Sequence, residues 1–312
     1  LSDFSADTYH PAAISDPEVP ALVGQDLPED AFREIRDILF NAKGFDLDSY
    51  KDRCIKRRIA ARIRQLGLPH VSGYVARLAE QPAEQAALLE ALTIHVSQFF
   101  RNPTTFVVLE EKILPELLRA RPPGRELRIW SAGCASGEEP YSLALLCDEL
   151  CRSPEQVSIY ATDISTEILK KARQALYEPH RVAEVPDVIL QRYFTPEAGN
   201  YRLNEELRKR VHFFRNDILN DRPFHRVDLI LCRNLLIYFS PPQQDYILRT
   251  FAAALVAGGY LVLGRSETMI SETRDLFECV NAAERIYRKK TADGEMNDPS
   301  GHGFRRKTEQ DP

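Results

Sequence analysis

Residues 126–147 read ELRIWSAGCASGEEPYSLALLC, and this stretch decides the fold. Glu126–Trp130 reads as a short strand, and Tyr141–Cys151 as a helix. Between them Gly133 and Gly137 permit a tight turn, and Pro140 suits the first turn of the helix. Strand, Gly-rich turn and helix in that order open a doubly wound sheet, whose ligands sit at the carboxyl ends of its strands.

Downstream the alternation continues. Val157–Thr162, Val211–Phe214, Val227–Cys232 and Tyr260–Leu263 read as strands, with helices at Thr166–Leu176 and Gln243–Val256. Ala282–Tyr287 reads as a last strand on the sheet edge. Such spacing predicts an α/β fold with a mainly parallel sheet. The alternation lapses at about 178–209, where Tyr193-Phe194, a turn near Gly199-Asn200 and Tyr201–Leu203 suggest a small inserted hairpin.

Upstream the period is helical throughout. Phe32, Ile35, Ile38 and Leu39 form one stripe, stopped by Gly44, and Ile55, Ile59, Ile63 and Leu66 form the next. Further helices are expected around Tyr74–Ala79 and Ala83–Leu92. The organisation is therefore a flexible lead-in (1–27), an N-terminal all-α domain (28–95), an α/β domain (96–290) and a disordered tail (291–312).

With 312 residues, a net charge of −5 and 44% hydrophobic residues, the chain has the composition of a globular protein of about two domains. The mild acidity argues against a dedicated nucleic-acid binder. No apolar run reaches the ~18 residues of a spanning helix, and no secretory signal is visible, so no membrane insertion is expected and a cytoplasmic location is. Six cysteines without a CxxC pair suit buried hydrophobes better than a metal site. Leu1 in place of Met suits a segment of a longer protein.

The turn after the first strand carries Glu138-Glu139, where bound pyrophosphate would meet two carboxylates. It also lacks the GxGxxG spacing of dinucleotide binders and the ending of a P-loop. An acidic turn suits a cationic ligand; the same glutamates also complement a helix dipole. Asp163 ends the second strand, where it can accept both hydroxyls of a ribose or cap a helix, with Ser165 available as the cap. Asn216-Asp217 ends the third strand and can bracket an adenine edge. Arg233 and Asn234 follow the fourth. Together these residues point to a nucleoside-type cofactor that bears positive charge and no phosphate. S-adenosylmethionine fits, with S-adenosylhomocysteine as its product.

From about Phe32 to Lys290 the chain resembles the CheR family of chemotaxis receptor methyltransferases. The motifs are Gln98-Phe99-Phe100-Arg101, Trp130 to Tyr141, Ala161-Thr162-Asp163-Ile164, Cys232 to Phe239 and Gly264-Arg265-Ser266-Glu267, in the family's order and spacing. The resemblance implies a class I methyltransferase-like sheet. It also implies a monomer that transfers a methyl group from S-adenosylmethionine to glutamates on the cytoplasmic coiled coil of a chemoreceptor. It places Ser97, Arg101, Gly133, Glu139, Asp163, Asn216, Asp217, Arg233 and Asn234 at the cofactor, and Arg101 with Tyr238 at the reacting centre. His95 stands where the family commonly has asparagine and is a further cofactor-binding candidate. The segment Thr195–Leu207 is short and Gly-poor beside relatives whose insertion binds a receptor-tail pentapeptide, so a protein working without that tether is expected.

The helix at 51–64 presents Arg53, Arg57, Arg58 and Arg62, a candidate surface for a glutamate-rich receptor helix or simply a solvated face. A non-catalytic scaffold that binds S-adenosylmethionine or S-adenosylhomocysteine is the rival reading.

Overall fold

The computed structural model describes residues 27–68, 70–92, 97–122, 124–150, 156–269 and 271–291. The expected lead-in up to residue 26, nearly all of the tail, His95 and Cys151 lie outside the described residues, and Leu27 is buried. The chain forms two compact units, Leu1–Thr93 and Ile94–Pro312.

The first unit is helical: α1 (Glu29–Lys43), α2 (Asp52–Gln65), α3 (Val71–Glu80) and α4 (Pro82–Leu92). Helix α1 buries Ala31, Phe32, Ile35 and Leu39, and ends where Gly44, at φ 66°, donates its N–H to the Phe40 carbonyl at 2.8 Å. Helix α2 buries Ile55, Ile59, Ala60 and Ile63 on the face that packs on α4, while α1 packs on α3. Its cations divide. The Arg62 guanidinium forks onto the buried Glu84, Nε to Oε1 at 2.9 Å and Nη2 to Oε2 at 2.8 Å, and Tyr74 adds its hydroxyl at 3.2 Å. Lys56 pairs with Glu29 and Asp52, and Arg58 donates to the Leu92 carbonyl. Arg53 and Arg57 are exposed.

The second unit opens with a helix the sequence reading did not assign. It runs as α5 (Pro103–Val108), a π turn (Leu109–Ile113) and α6 (Leu114–Ala120). There follow β1 (Leu127–Ala132), α7 (Glu138–Leu150), β2 (Val157–Asp163), α8 (Thr166–Gln174) and β3 (Leu176–Tyr177). The insertion adds α9 (Asp187–Tyr193), β4 (Phe194–Glu197), β5 (Asn200–Leu203) and α10 (Glu205–Arg208). Then come β6 (Val211–Arg215), β7 (Val227–Cys232), α11 (Pro241–Ala254), β8 (Leu255–Leu263), β9 (Phe277–Asn281) and β10 (Ile286–Lys289).

Seven strands form one sheet in the order β6-β2-β1-β7-β8-β10-β9, parallel from β6 to β8 and antiparallel at β10 and β9. All six residues of β7 are buried, as are five of six in β1, and both are mostly apolar, interrupted by Arg128 and Ser131 in β1 and Asp228 in β7. Two expectations need correction. The helix expected to reach Leu176 stops at Gln174, because Ala175 turns left-handed (φ 50°) and Leu176 pairs with Arg202 in a three-stranded sheet ordered β3-β5-β4. The last strand runs 286–289 inside the sheet, and the edge is β9, whose middle residues face solvent. No helix among the described residues is long and apolar enough to cross a membrane.

Candidate functional site

Strand order puts β2 on one side of β1 and β7 on the other, so the topology reverses between β1 and β7. A crevice at the carboxyl ends of those two strands is the expected ligand position. A cavity opens there, its empty space about 630 Å³ with the open mouth included. Ser97, Gln98, Arg101, Gly133, Glu139, Arg233, Asn234 and Tyr238 line it, with Phe106, Cys134, Ala135 and Ile237 supplying the apolar wall.

Local chain chemistry shapes this wall. Gly133 sits at φ 73°, and a Cβ there would come 2.9 Å from the Leu235 side chain, so the turn after β1 needs glycine. The N–H groups of Gly133 and Cys134 both reach the Thr162 carbonyl at 2.8 Å, tying that turn to β2. Asp163, buried at the end of β2, accepts from Ala135 N–H and Ser165 N–H, each at 3.0 Å. Ser165 itself caps α8, its hydroxyl accepting from Ile168 N–H at 3.3 Å.

The two glutamates of the turn part company. Glu138 is fully buried and is held by the Ser136 hydroxyl, which donates at 2.8 and 2.9 Å, and by the Arg181 guanidinium. Arg181 also reaches the Ser97 carbonyl at 3.2 Å, so it fastens the insertion region to the cavity rim. Glu139 faces the cavity. Ser131 Oγ donates to it at 2.8 Å and Arg233 Nη1 stands 3.3 Å away. Burial pushes the Glu139 carboxyl above the ordinary glutamate range, and the charge of Arg233 only partly opposes that.

Arg233 gives its other nitrogen to the backbone of the opposite wall. Its Nη2 donates to the Arg101 carbonyl at 2.6 Å and to Asn102 Oδ1 at 2.8 Å, while the guanidinium lies over Phe106. Arg101 itself sits between two left-handed residues, Phe100 (φ 51°) and Asn102 (φ 61°), and Phe100 N–H is fixed by Ser142 Oγ at 3.0 Å.

The structure thus gathers Ser97, Arg101, Gly133, Glu139, Arg233, Asn234 and Tyr238 around one cavity. Asp163, Asn216 and Asp217 are not on its lining. Asn216 N–H bonds the Asp163 carbonyl at 3.0 Å, and the Asp217 carboxylate holds its own turn through Leu219 N–H and the Asn220 amide. Sequence reasoning missed Arg181, Asn102 and Phe106. Arg181 lies where the sequence has no period, and the other two follow the Arg101 motif without belonging to it.

Residues 95–286 match the model of the CheR methyltransferase SAM-binding domain, and residues 30–93 that of the CheR methyltransferase all-alpha domain. The chain is 35% identical over 271 residues to the chemotaxis protein methyltransferase of Klebsiella aerogenes, covering 82% of this chain and 90% of that one. To the chemotaxis protein methyltransferase of Salmonella typhimurium it is 35% identical over 256 residues, covering 78% and 85%. A 104.1 kDa protein of Rhodobacter capsulatus is 36% identical over 264 residues; 83% of this chain matches, but it spans only 28% of that relative's length.

Proposed function

The chain belongs to the CheR methyltransferase family, an S-adenosylmethionine-dependent family, and from that premise we propose that it esterifies glutamate side chains on the helical cytoplasmic region of a chemoreceptor. One observation carries this reading: Arg101, Tyr238, Glu139 and Arg233 converge on one cavity at the switch point of the sheet. The cavity suits the cofactor. A buried carboxylate whose pKa is raised is under-compensated, and it gains from a cationic ligand beside it. Glu139 and Asn234 would hold the amino-acid portion and Gly133 would let the backbone approach closely, while Asp163, off the cavity lining and bonded to the Ala135 and Ser165 N–H groups, would take the ribose only by exchanging one of those bonds. When bound, S-adenosylmethionine supplies a methyl group on a positively charged sulfur.

The chain's own residues have a light task. A glutamate with a pKa of about 4.3 is ionised at neutral pH, so no general base is needed. Arg101 grips the incoming carboxylate through its planar fork, and Tyr238 orients it by its hydroxyl. The exposed Arg53 and Arg57 attract a glutamate-rich helix. Arg58 and Arg62 serve the first unit's interior instead, through the Leu92 carbonyl and Glu84.

Work without a pentapeptide tether is supported by the edges of the insertion. A tethering peptide adds as a strand and needs donors as well as acceptors. In the hairpin closed by Glu197 and Asn200, positions 194 and 196 face the free edge of β4. Phe194 N–H already bonds the Leu190 carbonyl and Pro196 has no N–H, so that edge offers carbonyls alone. The opposite edge, β3, is two residues long. Calorimetric titration with a receptor-tail pentapeptide should give no heat of binding; tight binding would overturn this part of the reading.

Two assays test the whole. Isothermal titration should show S-adenosylmethionine binding that Asp163→Ala abolishes. Transfer of labelled methyl to a receptor cytoplasmic fragment, read as base-labile ester, should fall about 100-fold in Arg101→Ala. Cofactor binding with no ester formed by the wild type would favour the scaffold reading.

A further inference from the structure

The motif Gly264-Arg265-Ser266-Glu267 lies outside the cavity lining, yet its glutamate is 3% exposed and faces inward. Glu267 Oε2 accepts from Gly264 N–H at 2.6 Å and from Asn234 N–H at 3.0 Å. The N–H groups of Leu236 and Ile237 also favour its charged form, against burial, which pushes the carboxyl upward. These donors belong to the segment Asn234–Tyr238, which leaves β7 with Asn234 at φ 60° and closes as a short 3₁₀ turn at Leu236–Tyr238. From its other side Gln244 Nε2 donates to the carbonyls of Leu236 (2.8 Å) and Phe239 (3.0 Å). The turn that carries Tyr238 therefore hangs between a buried carboxylate and a half-buried amide. Gly264 is required by the same arrangement: a Cβ there would stand 2.7 Å from Glu267 Oε2 and 2.8 Å from Asn234 N.

We propose that Glu267 is a positioning residue that acts through Tyr238, fixing the turn that presents the tyrosine hydroxyl to the cavity. This rests on the reading of Tyr238 as a reacting-centre residue. A buried anion suits the task because one group can bind several backbone N–H dipoles at once, which no neutral side chain of that size does. Gln in its place keeps the volume, loses the charge and sets an amide NH₂ among backbone donors.

A double-mutant cycle in kcat tests this on the full chain. Glu267→Gln and Tyr238→Phe should each lower kcat by about 100-fold, and the double variant should fall no further than the worse single one. Multiplying losses would overturn the proposal, since they would mean that Glu267 acts by another route, as would a wild-type kcat in Glu267→Gln. Should Glu267→Gln fail to fold, Gly264→Ala disturbs the same turn with the carboxylate retained, and the same non-additivity with Tyr238→Phe is then required. If Tyr238→Phe alone keeps full kcat, the role given to Tyr238 fails, whatever Glu267 does.

Discussion

Two arginine–glutamate pairs, Arg62–Glu84 in the first unit and Arg233–Glu139 in the second, are built to opposite ends. In the first unit Arg62 meets Glu84 with both nitrogens of its fork, and Tyr74 satisfies the carboxylate further. Burial pushes Glu84 upward, but the Arg62 bonds and charge more than offset it and hold its pKa below the ordinary range. In the second unit Arg233 gives Glu139 a single contact at 3.3 Å and turns its other nitrogen to the Arg101 carbonyl and Asn102. There burial wins and the Glu139 pKa rises. A pair that closes on itself holds helices together. One left partly unsatisfied keeps electrostatic capacity for a ligand.

The first way to break this contrast is Arg62→Ala. It leaves the buried Glu84 with only Arg77, 4.0 Å away, as counter-charge and should cost the first unit about 3 kcal/mol in chemical denaturation. Charge reversal at Arg62 should therefore be read as unfolding, not as lost receptor affinity.

Glu139→Gln should do the reverse. Cofactor affinity by titration should fall about tenfold or more, by about 1.4 kcal/mol per decade. The melting temperature should fall less than in Arg62→Ala, because a carboxylate with a raised pKa opposes folding when charged and Arg233 keeps its bonds to the Arg101 carbonyl and Asn102. An equal drop in melting temperature with cofactor affinity intact would cancel the distinction.

Acidity sharpens it further. Glu84 has a lowered folded pKa, so its stabilisation is complete above the ordinary value of about 4.5 and is lost as pH falls through the folded value. Glu139 has a raised one, so its cost appears as pH climbs from about 4.5 through the folded value. Relative to wild type, Glu84→Gln should be least harmful in acid, and any gain from Glu139→Gln should vanish there. Stability curves measured against pH for the two variants check these opposite slopes.

The smallest effect belongs to an exposed cation. Arg57→Glu should raise the Michaelis constant for a receptor fragment about threefold to tenfold at low salt, less at high salt, without changing cofactor affinity.

How much of this was legible in the sequence follows the physics of each part. Strands β1, β2 and β7 are buried on both faces, so composition alone marks them. Edge strand β9 faces solvent along its middle and leaves no such mark. The helix from Pro103 to Ala120 carries Pro103 and Pro115 and a π turn, which break the 3.6-residue period that would announce it. Arg101, Glu139, Arg233 and Tyr238 were found through motifs. What Glu138 does was not readable, because it is claimed by Arg181, 43 residues away. Contacts of that kind depend on the folded chain, and no local pattern encodes them.

The loop at Arg101 has a bearing on how this sequence can drift. A left-handed conformation costs an ordinary residue about 1–2 kcal/mol, and Phe100 and Asn102 both adopt it on either side of the arginine. β-Branched replacements at position 100 are barred outright, and glycine would relieve the strain only by loosening what it flanks. Mutational paths through this loop are consequently narrow, since Phe100 is bonded to Ser142 and the Arg101 carbonyl and Asn102 to Arg233.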